Sequence, residues 1–171
     1  KVLFNVQKLQ HVYCSPNGVI YVLDADGTRV QKVEGSRLMP VLDSKELPEE
    51  LAFHAFCIFV SKQEVPYIAD WEKRRILRFA EGTYIPAVVA DFGDRDGVSL
   101  EGLFVTEDER IFVCDAGNDR ILMKDAGEIA RLDLSEHGTP SDLFVEDGFL
   151  NVLVRKETDE GYGGWVQQFV L

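Results

Sequence analysis

Short apolar runs, separated by turns rich in Gly, Asp and Asn, follow one another along most of the chain. Three of these runs are rich in β-branched and aromatic residues and almost continuously apolar, which predicts strands covered on both faces. They are Val19–Leu23, Val65–Ala69 and Arg110–Cys114. A second run follows each of them after a short turn, and its apolar and polar residues partly alternate. Helical periodicity is nearly absent, so the pattern predicts an all-β protein.

A block of the form Asp-x-x-x-x-Arg-[Val/Ile] joins the two runs in each of three copies. The copies are Asp24–Arg29, Asp70–Arg75 and Asp115–Arg120, and their Asp residues are 46 and 45 residues apart. A fixed period of this size indicates a repeat architecture. Because the Asp and the Arg flank a hairpin turn, the carboxylate can accept backbone N–H groups of the turn and pair with the guanidinium. We therefore expect these six residues to staple turns rather than to take part in chemistry.

Each copy is preceded by another apolar segment and followed by a candidate fourth strand. The preceding segments, including one for a fourth unit, are His11–Cys14, His54–Val60, Glu101–Val105 and Ser141–Val145. The candidate fourth strands are Met39–Leu42, Ala87–Ala90 and Ile129–Leu132. Four short antiparallel strands in a unit of about 40–46 residues are typical of a β-propeller blade. The sequence predicts a single β-propeller domain or part of one, built of four-stranded antiparallel blades, with units at approximately 8–51, 52–98, 99–138 and 139–171.

The fourth unit departs from the pattern. After Leu150–Val154 the chain reaches Arg155 where an Asp is expected, and a longer polar hairpin, Lys156–Gly164, follows. The strand-like residues 1–7 are expected to close the ring by pairing with the last strands, because closure removes exposed edges.

The segment Phe112–Ile121 resembles the core of an NHL repeat, whose pattern is roughly Tyr-Val-x-Asp-x-Gly-Asn-x-Arg-[Ile/Val]. The preceding Phe92–Gly97 and Leu103–Val105 are similar to the glycine-bearing connection and the first strand of that repeat. In the second copy, Trp71–Arg74 departs from the centre of the motif. Domains of this family are typically six-bladed propellers. The resemblance therefore implies either a part of a larger propeller or assembly, or a smaller ring.

The net charge of the chain argues against two classes of binding partner, nucleic acids and anionic lipid surfaces. The chain carries 30 acidic and 18 basic side chains, a net charge of −12. Affinity for nucleic acid depends largely on Lys and Arg neutralising phosphates, so no nucleic-acid partner is expected. Anionic lipid surfaces are disfavoured for the same reason. No apolar stretch approaches the roughly 18 residues of a membrane span, so no membrane insertion is expected.

Cysteine use bears on the cellular environment. The three cysteines are Cys14, Cys57 and Cys114, and all lie in apolar strand-like segments. We expect them to be small buried hydrophobic residues rather than members of a disulfide framework. Together with first residues that do not resemble a signal peptide, this favours an intracellular location.

The first functional hypothesis is a non-catalytic protein-interaction scaffold. NHL-like propellers mostly act in protein–protein recognition, and the resemblance implies a protein partner and no cofactor. Loops on a rigid scaffold commonly carry binding function. Trp71 and Arg74 in the second turn and Tyr162 in the last hairpin are the candidate partner-binding residues, because exposed Trp, Tyr and Arg are enriched at interaction hot spots.

The alternative is a zinc-dependent propeller enzyme. His11 and His54 begin the first strands of two units, and Glu101 holds the matching position in the third. In a propeller these positions point near the central channel, and zinc accepts a His2Glu ligand set with an open fourth position. This arrangement resembles that of the peptide-amidating lyases, which are relatives of the repeat.

Overall fold

The computed structural model describes residues 9–80, 85–93, 97–158 and 161–171. The chain divides into two compact units, Lys1–Asp91 and Phe92–Leu171. Each unit contains two antiparallel sheets in which neighbouring strands follow chain order. Among the described residues, none of the helices is long and apolar enough to cross a membrane.

The first unit contains sheets 1 and 2, each of four strands. The strands of sheet 1 are β1 (Leu9–Cys14), β2 (Ile20–Asp24), β3 (Arg29–Glu34) and β4 (Arg37–Asp43). The strands of sheet 2 are β5 (Ala55–Val60), β6 (Pro66–Asp70), β7 (Arg75–Arg78) and β8 (Ala87–Asp91). A short 3-10 turn, Ser44–Glu46, begins the connection between the two sheets.

The second unit contains sheets 3 and 4. The strands of sheet 3 are β9 (Leu100–Val105), β10 (Ile111–Asp115), β11 (Arg120–Asp125) and β12 (Glu128–Asp133), with a 3-10 turn at Ala116–Asn118. The strands of sheet 4 are β13 (Thr139–Glu146), β14 (Phe149–Thr158) and β15 (Gly161–Val170).

The predicted all-β architecture of antiparallel blade-like sheets is confirmed, with one difference. Sheets 1, 2 and 3 have the predicted four strands, whereas sheet 4 has three within the described residues. In sheet 4 the second and third strands are each ten residues long, because the chain continues straight where the other units turn. The closing strand predicted for residues 1–7 lies outside the described residues.

Apolar side chains fill the space between the two sheets of each unit. In the first unit, Leu23 and Val30 of sheet 1 pack with Ile58, Ile68 and Leu77 of sheet 2. In the second unit the fully buried side chains come from both sheets: Phe112, Cys114 and Ile121 from sheet 3, and Leu150, Val152 and Val154 from sheet 4. Burying each large apolar side chain contributes about 1.5–3 kcal/mol, so these clusters are a main source of stability for each unit.

The cysteine prediction is correct for two residues and wrong for the third. Cys57 and Cys114 are buried, whereas Cys14 is exposed. The neighbouring Tyr13 packs against the core of the first unit. Because successive side chains of a strand point to opposite faces, Cys14 is directed away from that core.

The turn between the first two strands of sheets 1, 2 and 3 contains a recurrent Ser or Thr side-chain hydrogen bond that the sequence analysis did not predict. Ser15, Ser61 and Thr106 each accept, through the side-chain oxygen, the backbone N–H four residues later. The residue three positions on has a positive φ: Gly18 at 80°, Glu64 at 57° and Glu109 at 63°. The signal was present in the sequence as a Ser or Thr at the same place in three units, and a hydroxyl there satisfies a turn N–H.

Candidate functional site

The second Asp-x4-Arg block is built around a carboxylate with no solvent exposure, that of Asp70. Its Oδ1 accepts the backbone N–H of His54 at 3.2 Å and that of Lys73 at 3.4 Å. Its Oδ2 accepts Nε–H of Arg75 at 3.0 Å. One side chain therefore holds together the start of β5, the turn and the start of β7.

The Arg75 guanidinium extends this network to the segment that precedes β5. It donates from one terminal nitrogen to the carbonyl of Glu50 at 2.8 Å and from the other to the carbonyl of Ala52 at 3.0 Å. Arg75 is itself buried. Because the buried charges are paired and their hydrogen bonds are satisfied, removing one partner leaves the other uncompensated.

The third copy repeats the arrangement. Asp115 is fully buried and accepts Nε–H of Arg120 at 2.7 Å. It also accepts the backbone N–H of Ser99, just before β9, at 2.9 Å, and the side-chain amide of Asn118. The predicted pairing of Asp with Arg is therefore present in the second and third copies.

The first copy differs from the expected pairing. Asp24 accepts the backbone N–H groups of Thr28 at 2.8 Å and Arg29 at 3.0 Å, so it does hold the turn. The Arg29 guanidinium instead reaches Asp43 at 2.9 Å, directly across β3 and β4. The register of β3 and β4 places Asp43 directly opposite Arg29, and the guanidinium pairs with that carboxylate.

In the fourth unit, the strand register moves the position equivalent to the repeat's Asp by one residue from the predicted one. Leu103 of β9 pairs with Val113, two residues before Asp115, and Leu143 of β13 pairs with Val152. By the same count, Val154 holds the position of the Asp, and it is fully buried in the core. Arg155, predicted to hold that position, is the next residue, and its guanidinium contacts Glu101 at 2.6 Å. Without a carboxylate to hold a turn, β14 continues to Thr158.

The turn after β6 presents Trp71 to solvent. The side chain of Trp71 is exposed, with a relative accessibility of 52%, while its backbone N–H donates to the carbonyl of His54 at 3.0 Å. The other turn residues are fixed: Glu72 hydrogen-bonds to His54, and Lys73 Nζ donates to the carbonyls of Glu49 and Ala52 at 2.7 and 2.9 Å. We call the residues Trp71–Arg74 the tryptophan turn.

The other two candidate partner-binding residues differ in position. Arg74 completes the tryptophan turn with a left-handed backbone, φ 52°, and a half-buried side chain. Tyr162 pairs with Glu157 at the tip of the β14–β15 hairpin, but its side chain lies outside the described part of the structure. The hairpin tip and the tryptophan turn lie in different units.

The three predicted zinc ligands each make other contacts. His11 Nδ1 lies 3.5 Å from the backbone nitrogen of Ile58, and the His54 ring contacts Glu72. Glu101 is paired with Arg155. Across the described ranges, no group of three or more His, Cys, Asp or Glu side chains is placed to hold a metal. The zinc site stays a prediction of the sequence.

A polar cluster joins sheets 1 and 2 around Glu64. The Tyr21 hydroxyl donates to this carboxylate, as do Ser15 Oγ at 3.1 Å and the Asn17 side-chain amide at 2.7 Å. Burial by itself raises the pKa of Glu64, but the hydrogen bonds from Tyr21, Asn17 and Ser15 outweigh it, so the pKa is lowered. Burial and the Glu64 carboxylate raise the pKa of Tyr21. Burial likewise raises the pKa of the neighbouring Tyr13 to about 12.

No protein-family model matches the chain. No curated protein matches it either. Solved structures do match, among them YCF48 bound to D1 peptide, with a TM-score of 0.69 at 10% identity over 100% of this chain and 54% of that chain. The selenomethionine-substituted virginiamycin B lyase of Staphylococcus aureus matches with a TM-score of 0.61 at 14% identity, over 94% of this chain and 54% of that one.

A third match is the calcium-binding protein regucalcin of Agrobacterium tumefaciens strain C58, with a TM-score of 0.61 at 15% identity over 88% of this chain and 54% of that chain. All three are β-propeller proteins. The chain has a β-propeller fold. At these identities the similarity extends to the fold alone, and the chain spans about half the length of each of these propellers. The β-propeller neighbours include both enzymes and binding proteins.

Proposed function

We propose that this β-propeller chain is a non-catalytic protein-binding scaffold that contacts its partner through the tryptophan turn. The observation that carries the proposal is an exposed Trp71 on a turn whose backbone and neighbouring side chains are already fixed. Exposed Trp is among the residues most enriched at interaction hot spots. A fixed turn loses little conformational freedom on binding, so more of the contact energy appears as affinity.

The structure around Trp71 explains why this turn keeps its shape. Asp70 and Arg75 are buried beneath it, and Lys73 is bound to two carbonyls of the segment before β5. Arg74 holds the left-handed position of the turn, φ 52°, at a cost of about 1–3 kcal/mol. Asp119 holds the equivalent position in the third copy, φ 46°, so this conformation belongs to the geometry of the repeat turn.

Charge and the structural neighbours support a protein partner. The net charge of −12 opposes binding to nucleic acid. YCF48, one of the structural neighbours, was solved bound to a peptide. We further propose that the blades are of NHL type, on the residues Phe112–Ile121 that match the repeat pattern.

An affinity-capture experiment tests the proposal. Immobilised wild-type chain, Trp71→Ala and Phe56→Ala are incubated with the same cell extract, and bound proteins are quantified. Phe56 is the matched control because it is an aromatic residue of the same unit that is 37% exposed and lies outside the tryptophan turn. We expect a specific partner to be retained by wild type and Phe56→Ala and lost with Trp71→Ala. Equal capture of the partner by all three proteins, with equal unfolding midpoints, would contradict the proposal that the tryptophan turn contacts the partner.

A further inference from the structure

The turn between β1 and β2 contains the one Asn-Gly pair of the sequence, Asn17-Gly18. Asn17 is exposed, and Gly18 has a left-handed backbone with φ 80°. Asparagine is one of the thermally labile residues of proteins, because the next backbone nitrogen can attack its side-chain carbonyl carbon. A following Gly favours this attack, since it has no side chain to hinder the approach and its backbone turns freely. The other three asparagines of the chain precede Val or Asp.

The side-chain amide of Asn17 joins this turn to sheet 2. Its Nδ2 donates to the backbone carbonyl of Lys62 at 2.9 Å and to Oε1 of Glu64 at 2.7 Å. Both partners lie in the turn between β5 and β6, within the same compact unit. Because both partners are acceptors, only a donor fits between them. The amide of Asn17 therefore links the first turns of sheets 1 and 2.

Hydrogen bonds hold both nitrogens that take part in this chemistry. Nδ2 of Asn17 is the leaving group, and it is bound to Lys62 and Glu64. The Gly18 nitrogen is the nucleophile, and its N–H donates to the carbonyl of Ser15 at 2.8 Å. These bonds must break before the Gly18 nitrogen can displace Nδ2. The rate of the reaction therefore depends on how often this part of the structure opens locally.

We propose that Asn17 is a site of spontaneous deamidation, and that its hydrogen bond to Glu64 limits the rate. In this reaction the Gly18 nitrogen loses its proton and forms a bond to Cγ of Asn17. The bond from Cγ to Nδ2 breaks, and Nδ2 leaves as ammonia. Water then opens the resulting cyclic imide at either of its two carbonyl carbons. The products carry aspartate or isoaspartate in place of Asn17.

Deamidation reverses the role of this side chain in the structure. Either product replaces a hydrogen-bond donor with a carboxylate, and the groups that it faces are the Lys62 carbonyl and the Glu64 carboxylate. Two carboxylates at hydrogen-bonding distance repel each other, so the link between the two turns is lost. Glu64 keeps its hydrogen bonds from Tyr21 and Ser15. The modification therefore loosens the contact between sheets 1 and 2 irreversibly and adds one negative charge to the chain.

Peptide mapping by mass spectrometry tests the proposal on chains incubated at neutral pH below their unfolding midpoints. Conversion of amide to acid at Asn17 should be about fivefold or more faster in Glu64→Ala than in the wild type, because a hydrogen bond to a charged group no longer holds Nδ2. Glu109→Ala is the matched control and should convert like the wild type, since Glu109 holds the same turn position in sheet 3, also with positive φ. Asn118, whose amide is likewise bound to a carboxylate but which precedes Asp119, should convert far more slowly than Asn17.

Two further variants test the reaction and its consequence without removing Glu64. Gly18→Ala should slow conversion at Asn17, because the added methyl hinders the attack, and a Cβ there meets nothing within 4 Å. Asn17→Asp supplies one product directly and should lower the thermal unfolding midpoint at neutral pH. Conversion at Asn17 no faster than at Asn118, or equally fast in wild type and Glu64→Ala, would overturn the proposal. So would unchanged conversion in Gly18→Ala or an unchanged midpoint in Asn17→Asp.

Discussion

Arg75 donates a hydrogen bond from Nε to Oδ2 of Asp70 at 3.0 Å, and Asp70 has no exposure to solvent. The same guanidinium reaches two carbonyls before β5, so the pair links three segments that are distant in sequence. The tryptophan turn connects these two residues in the sequence. The first prediction therefore concerns what happens to the fold when the pair is broken.

Asp70→Ala should lower the free energy of unfolding by roughly 3–5 kcal/mol, because it leaves the buried Arg75 charge and the His54 N–H without their partner. The comparison is Arg29→Ala, which breaks the exposed ion pair with Asp43 and should cost no more than about 1 kcal/mol. Urea denaturation followed by circular dichroism measures both. Similar losses for the two variants would contradict the role we assign to the buried pair.

Gly27 should be far less tolerant of a side chain than Gly35. Both have positive φ, 69° and 61°, so both alanine variants carry a backbone cost of about 1 kcal/mol. A Cβ at Gly27 would lie 2.4 Å from the carbonyl oxygen of Ala55, whereas a Cβ at Gly35 meets nothing within 4 Å. We expect Gly27→Ala to lower the thermal unfolding midpoint clearly more than Gly35→Ala. Equal midpoints would mean that the contact between this turn and β5 does not hold in solution.

The sequence predicted most of the fold and less of the site. The spacing of Asp24, Asp70 and Asp115 identified the repeat, and alternation of apolar residues placed the strands, because both signals are local. The position of Val154 could not be read in the same way, since the hairpin between β13 and β14 is one residue shorter than that between β9 and β10: Val145 pairs with Leu150, whereas Val105 pairs with Ile111. The partner of Arg29 was also hidden, because it depends on the register of β3 and β4, which places Asp43 directly opposite Arg29.

Stability at acidic pH should depend on Glu64. Its pKa is lower in the folded chain than in the unfolded chain, so its contribution is present above the unfolded pKa and is lost as pH falls through the folded pKa. Glu64→Gln removes the carboxylate that takes up a proton when the chain unfolds in acid. The unfolding midpoint of this variant should therefore fall less steeply with acid than that of the wild type. Glu107→Gln, an exposed change in the corresponding turn of sheet 3, should leave the wild-type slope. If the unfolding midpoints of wild type and Glu64→Gln fell equally steeply with acid, the predicted dependence of stability on Glu64 would be wrong.

The chain should bind no stoichiometric zinc. Glu72 engages the His54 ring and Arg155 engages Glu101, so two of the three candidate ligands are hydrogen-bonded to other side chains. After equilibration with zinc and dialysis, elemental analysis should find well under one zinc per chain, and the double variant His11→Ala/His54→Ala should give the same value. One zinc per chain, lost in the double variant, would contradict this prediction and support the metal site of the alternative hypothesis.

The most direct test of the binding function is an affinity measurement with the captured partner. Isothermal titration of wild type, Trp71→Ala and Phe56→Ala should show that only Trp71→Ala weakens binding, by about 30-fold or more, the loss of 2 kcal/mol or more typical of a hot-spot residue. Trp71 is 52% exposed, and its hydrogen bond to the carbonyl of His54 comes from the backbone, which the variant keeps, so the variant should unfold like the wild type. An unchanged dissociation constant for Trp71→Ala would contradict the claim that the tryptophan turn is the binding surface.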